Sequence, residues 1–183
     1  MLGETIRIIS VGYSHIGTSG RESYLRADSL NTTGIYSIVR NPLYIGNFLI
    51  FTGLVVVFSN AWAVLVFGFF LVLQYYFIIF AEENFLKEKY GDKYEAYCTR
   101  VKRIIPTFKN YRKNQNPFSL KKVIFKENDS VFNMLIMFLL VLLYKEKYFT
   151  GGINSKITYI ISGSILILAY VVTKIVKRGV NSP

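Results

Sequence analysis

A polar loop becomes an apolar helix within one short stretch of this sequence, Arg40-Asn41-Pro42-Leu43-Tyr44-Ile45-Gly46-Asn47, and that change decides the fold. Pro42 suits the first turn of a helix, because its missing N–H costs nothing there and its fixed φ is already helical. The residues that follow are nearly all apolar, which predicts a helix over about 43–58. At ~1.5 Å per residue that helix covers about 24 Å, a thin membrane span.

Three further segments have the composition of membrane helices. Ser59-Asn60 is a polar turn, and the next predicted helix, 61–90, has an apolar part of about 31 Å over 61–81. Two more apolar stretches lie at about 131–144 and 157–173. The sequence therefore predicts an all-α integral membrane protein with about four transmembrane helices in two hairpins, a short N-terminal helix and cytoplasmic helical segments.

The composition supports a membrane protein and argues against nucleic-acid binding. Hydrophobic residues make up 52% of the chain and charged residues 18%, where soluble domains have about 25%. The net charge is +11, but Lys and Arg flank the apolar segments instead of lining a soluble face. Residues 83–130 carry twelve Lys/Arg against six Asp/Glu, which predicts a cytoplasmic location for them. One cysteine and one histidine predict neither a disulfide nor a metal site.

The start of the first apolar helix is a candidate binding site. Asn41, Tyr44 and Asn47 share one side of it, and a helix N-terminus attracts a carboxylate such as the amino-acid end of a cofactor. The alternative is that Asn41-Pro42 only caps the helix and Tyr44 belongs to the aromatic belt at the membrane surface.

Two adjacent carboxylates, Glu82 and Glu83, lie where the second helix returns to the same side. They point about 100° apart on a helix, so at most one faces the interior of the hairpin. A carboxylate there can accept hydrogen bonds from ribose hydroxyls or complement a sulfonium. The alternative is a solvated helix end. Gly91 follows as a helix stop, and the tyrosine stripe, defined as Tyr90, Tyr94 and Tyr97, indicates packing more than an adenine platform.

These motifs occur in an order that resembles the isoprenylcysteine carboxyl methyltransferase and phospholipid methyltransferase-like integral membrane family. The resemblance covers about residues 28–108 in full and 1–27 loosely. It rests on Gly34-Ile35-Tyr36, the 40–47 stretch, a hairpin, Glu82-Glu83-x-x-Leu86, Tyr90-Gly91-x-x-Tyr94-x-x-Tyr97 and Arg103-x-x-Pro106.

The resemblance implies a methyltransferase that uses S-adenosyl-L-methionine on a lipophilic, membrane-embedded or lipidated acceptor, with a carboxylate expected to be methylated. It implies a multi-pass protein with its active site facing the cytoplasm. Tyr44 and Glu82 are the best candidates for positioning groups, and no catalytic base is evident. The implied cofactor-binding positions are Asp28, Ser29, Leu30, Asn31, Tyr36, Asn41, Pro42, Leu43, Tyr44 and Glu82.

The chain departs from the family pattern at three places. The family often has His where this chain has Asn41, and an amide cannot titrate near neutrality. The eukaryotic enzymes have an arginine where this chain has Ile78, which puts an isoprenylcysteine substrate in doubt. Relatives usually begin with further membrane helices, so we expect either a naturally short chain or a misplaced start.

The expected domains are a methyltransferase-like core at 1–110, a basic amphipathic connector at 111–130 and a C-terminal transmembrane hairpin at 131–183 that can support an oligomer. Two other functions stay open. Sterol-reductase-type proteins look similar in this region, and Arg21, Arg26 and Arg40 could bind the 2′-phosphate of NADPH. The chain could also be a truncated relative without enzymatic activity.

Overall fold

The computed structural model describes residues 1–15, 27–58 and 61–181. Within these ranges the chain is helical and contains no strand, as the sequence predicts. Two short 3₁₀ turns lie at Gly34–Ser37 and Phe108–Asn110. The α-helices are α1 (Leu2–Tyr13), α2 (Pro42–Phe58), α3 (Ala61–Tyr90), α4 (Asp92–Arg100), α5 (Leu120–Thr150) and α6 (Lys156–Asn181).

Among the described residues, three helices are long and apolar enough to cross a membrane, where about four were predicted. Their qualifying segments are Val64–Tyr90, Leu120–Thr150 and Lys156–Gly179, whereas the apolar segment Pro42–Val57 of α2 is shorter. The predicted bounds of α2 and α3 agree closely with the structure, because Pro42 and Gly91 mark the two ends locally.

The last two helices are longer than their apolar stretches. Helix α5 begins eleven residues before 131, capped by the Ser119 hydroxyl, which accepts from Lys122 N at 3.2 Å. The early part of α5 is rich in polar residues, among them Glu127, which pairs with the buried Arg7, so hydropathy alone misses this part of the helix. The helix continues through residue 130, where the sequence places a domain boundary. The division into domains stays a prediction.

Helix α1 packs between α2 and α5 through small and polar side chains. Gly3, Arg7 and Ser10 recur at helical spacing and are buried on one face. The crossing with α2 is close: a Cβ added at Gly46 would lie 2.7 Å from the Gly3 carbonyl oxygen and 2.6 Å from Arg7 Cγ. Small residues at such a crossing let the two backbones approach.

The segment after α4 returns beneath the loop that precedes α2. Arg40 N donates to the Lys102 carbonyl and Thr107 N to the Ile38 carbonyl, each at 2.9 Å. Gly91 links α3 to α4 with φ +50°, a conformation that favours glycine. These contacts hold the start of α2 beside the end of α3.

The tyrosine stripe packs, as expected. Tyr94 and Tyr97 form a buried cluster with Val101. The Tyr97 hydroxyl donates to the Tyr36 carbonyl at 2.7 Å, and the Tyr90 hydroxyl donates to the Ala27 carbonyl at 2.6 Å. The stripe thereby fixes the loop that carries the first predicted cofactor positions.

The C-terminal hairpin is joined by aromatic and ionic contacts. The Phe132 and Tyr170 rings stack with centroids 4.2 Å apart. Asp129 of α5 accepts from the Tyr170 hydroxyl at 2.9 Å and pairs with Lys174 at 2.8 Å. Helix α6 is therefore attached to the same turns of α5 that pack near α1.

Candidate functional site

A cavity of about 450 Å³ lies between α1, α2, α5, the end of α3 and the loop at 27–31. This volume is within the usual range for small-molecule sites, which is about 300–1,000 Å³. The lining combines charged and amide side chains with apolar ones.

A hydrogen bond at the cavity joins the start of α2 to the last part of α3. The Tyr44 hydroxyl donates to Glu82 Oε2 at 2.7 Å, and both residues line the cavity. The Tyr44 ring packs against Tyr75 with centroids 5.4 Å apart. Glu82 is therefore the carboxylate of the pair that faces the cavity, and Tyr44 is fixed from two sides.

Glu83 points away and forms an ion-pair cluster, defined as Glu83, Arg40, Arg103 and Asn41. Its carboxylate accepts from Arg103 Nε at 3.0 Å and lies 3.3 Å from Arg40 NH2. The hydrogen bond with Glu83 raises the pKa of Arg103 above its usual value. The Glu83 side chain is 11% exposed, so a solvated helix end is the wrong interpretation of this residue. Glu83 fixes the loop before α2 to the end of α3.

Nine of the ten predicted cofactor positions line the cavity, all except Asp28. The amide of Asn41 donates to Glu83 Oε1 and to the Arg103 carbonyl, both at 3.2 Å. Those two bonds use its nitrogen within the protein, which makes Asn41 a structural residue as well as a lining one. Asn31 accepts from His15 N at 2.8 Å through Oδ1. Ile78 is exposed on α3 and does not line the cavity.

Tyr36 lines the cavity from the 3₁₀ turn at Gly34–Ser37. Burial of the phenol, and then the charge of Glu82, raise the pKa of Tyr36 well above its usual value. Tyr36 therefore keeps its proton at neutral pH and presents an O–H group.

The sequence did not predict the contribution of α1 and α5. Arg7 Nε donates to Glu127 Oε2 at 2.9 Å, and its NH2 lies 2.7 Å from the same oxygen. Arg7 also donates to Asn47 Oδ1 of α2. The Arg7 and Glu127 side chains are only 8% and 2% exposed. A charge inside an apolar N-terminal segment is the signal that could have pointed to Arg7, because such charges have buried partners.

Of the three arginines considered for NADPH, Arg40 lies within the described residues. Arg40 lines the cavity but pairs with Glu83. Arg21 and Arg26 lie outside the described residues.

Comparison with known proteins supports the family resemblance. The sequence model of the phospholipid methyltransferase family matches residues 6–93. A protein-S-isoprenylcysteine O-methyltransferase of Schizosaccharomyces pombe is 38% identical over 96 residues, which are 51% of this chain and 39% of the yeast protein. The match thus spans less than half the length of that relative. No solved structure matches the chain. The resemblance is therefore confirmed: over its first half the chain is similar to the phospholipid and isoprenylcysteine methyltransferases.

Proposed function

We propose that the protein is a membrane methyltransferase that uses S-adenosyl-L-methionine and methylates a carboxylate on a lipophilic acceptor. The observation that carries the proposal is the Tyr44–Glu82 hydrogen bond at the cavity, because it joins the two family motifs at one wall. The similarity to the yeast O-methyltransferase supports the same reaction class.

The residues at the cavity fit the cofactor. The Glu82 carboxylate complements a sulfonium charge or accepts from ribose hydroxyls. Ser29, Leu30 and Asn31 line the cavity and would contact the nucleoside. Tyr36 adds a phenolic O–H group that stays neutral. Two cations that also line the cavity, Arg7 and Arg40, are paired with Glu127 and Glu83.

The chemistry requires little proton transfer from the protein. When bound, the cofactor supplies an electrophilic methyl group, so that an acceptor oxygen–carbon bond forms as the sulfur–carbon bond breaks. A carboxylate acceptor is already ionised at pH 7 and needs no general base. The tasks of the protein are orientation and exclusion of water. Tyr44 and Glu82 serve the first, and apolar lining residues such as Leu43 and Leu86 serve the second.

The basic segment suggests which side of the membrane the cavity faces. The cavity lies at the end of α3 where Glu82 leads into α4 and the returning segment, and residues 83–130 carry the excess of Lys and Arg. The positive-inside rule then orients the site towards the cytoplasm.

Calorimetry on the detergent-solubilised full chain tests the proposal. Separate titrations with S-adenosylmethionine, S-adenosylhomocysteine and NADPH distinguish the methyltransferase from the reductase. We expect heat with the first two ligands only. Heat with NADPH alone would favour the reductase, and no heat with any of them would favour a relative that lacks activity.

Variants locate the binding site. Glu82→Gln and Tyr44→Phe are each expected to weaken S-adenosylhomocysteine binding by about tenfold, or ~1.4 kcal/mol. Glu83→Gln is the matched control, since Glu83 faces the ion-pair cluster and not the cavity. It should lower thermal stability while leaving affinity unchanged. Equal losses of affinity at both glutamates would show that the facing carboxylate is assigned wrongly.

A further inference from the structure

Helix α5 lies outside the residues matched by the family model, yet it forms one wall of the cavity. The residues of α5 that line the cavity along one face of this helix are called the α5 wall. Positions 126 and 137 are eleven residues apart, so the wall is about 16 Å long at ~1.5 Å per residue. The α5 wall consists of Lys126, Ser130, Asn133, Met134 and Met137.

The polarity of the cavity changes along this wall. Ser130 and Asn133 are polar, whereas Met134 and Met137 are apolar and lie further along α5. Helix α2 shows the same order opposite, from Asn47 to the apolar residues Ile50, Phe51 and Leu54. In both helices, the polar lining residues thus come earlier in the sequence than the apolar lining residues at 50–54 and 134–137. This gradient fits a molecule with one polar end and one apolar chain.

The position of α5 is fixed by buried charge. Glu127 is 2% exposed and pairs with Arg7, which also donates to Asn47 of α2. Moving Glu127 by one turn would leave a carboxylate buried without its cation, which is strongly unfavourable. The α5 wall is therefore held in register with α2 and belongs to the site.

We propose that the α5 wall binds the methyl acceptor as a single-chain amphiphile. The polar end lies at Ser130 and Asn133, and the apolar chain lies between Met134 and Met137 on one side and Phe51 and Leu54 on the other, at an open end of the cavity where Met137 and Phe51 are exposed. Methionine side chains adapt to chains of different shape, which suits an apolar slot. This inference rests on the proposed function, because the acceptor is the second substrate of that reaction.

Photo-crosslinking of the full chain in phosphatidylcholine nanodiscs tests the inference. The probes are a farnesylcysteine and a palmitic acid, each with a diazirine in the apolar chain, and the labelled peptides are identified by mass spectrometry. We expect labelling of α2 near Phe51 and of α5 near Met137. Labelling confined to the outer faces of α3 and α6, or no labelling above background, would overturn the inference.

Two tryptophan variants provide a matched pair. Met137→Trp fills the apolar end and should lower labelling by about tenfold. Leu140→Trp is the control, since Leu140 is exposed on the same helix as Met137 is, but does not line the cavity. Equal labelling of the two variants would contradict the inference. If Met137→Trp does not fold, Asn133→Leu at an exposed position replaces it, with a weaker loss expected for both probes.

Calorimetry with S-adenosylhomocysteine separates this inference from the proposed function. Its binding should be unchanged in Met137→Trp and Leu140→Trp. Normal cofactor binding without labelling at the α5 wall would reject the acceptor site alone. If the unmodified protein does not bind S-adenosylhomocysteine, the methyltransferase proposal itself is rejected.

Discussion

The end of the molecule that carries the cavity buries charged and polar side chains, whereas the outer surface of its long helices exposes large apolar ones. Around the cavity the buried groups include Arg7, Glu127 and Asn41. Along α3, large apolar side chains from Trp62 to Phe77 are mostly exposed, and α6 is similar. Exposed apolar groups are stable against lipid, whereas buried charges are stable only with partners. The contrast separates the surface that meets the bilayer from the interior that serves the site.

The largest expected effect comes from breaking the buried ion pair. Arg7→Met leaves the Glu127 carboxylate buried without its cation, and we expect a loss of about 3–5 kcal/mol in the free energy of unfolding. The measurement is an SDS titration of the protein in mixed micelles. Arg7→Met combined with Glu127→Met should be more stable than Arg7→Met alone, because no unpaired charge remains. A double variant as unstable as the sum of the two single variants would contradict this account.

A charge on the lipid-facing side should have a somewhat smaller effect. Phe70 lies within the apolar part of α3 and is exposed. Phe70→Lys is expected to cost about 2.5–3.5 kcal/mol in membrane insertion, measured as the inserted fraction in a microsomal glycosylation assay. Phe70→Leu is the matched control and should insert normally. Equal insertion of both variants would show that this face of α3 does not meet lipid.

The smallest expected effect comes from a comparison of two glycines of α2, one at the crossing with α1 and one away from it. Gly46→Leu places a side chain against the Gly3 carbonyl and Arg7 of α1, which should destabilise the fold by about 1–3 kcal/mol. Gly53→Leu, seven residues along α2, meets nothing within 4 Å and should change stability by less than about 0.5 kcal/mol. The readout is thermal unfolding in detergent. Similar melting temperatures for both variants would refute the close crossing of α1 and α2.

Much of the helical architecture follows from local sequence, but parts of the site do not. Pro42 and Gly91 mark the ends of the α2–α3 segment, so its bounds were predictable. The choice of Glu82 over Glu83 came from the family resemblance and not from local sequence, since it depends on how Arg40 and Arg103 approach the end of α3. The interpretation of Glu83 as part of a solvated helix end was wrong, because the cations that pair with it come from loops distant in sequence.

The sequence by itself determined the all-helical class, the helices α2 and α3 and the family resemblance, because apolar runs, proline, glycine and motif order are local signals. Only the tertiary structure decided that α5 lines the cavity and that Arg7 pairs with Glu127, 120 residues away. A buried charge selects its partner by distance in space and by the cost of remaining unpaired. Neither quantity can be obtained from the sequence without the packing of the helices.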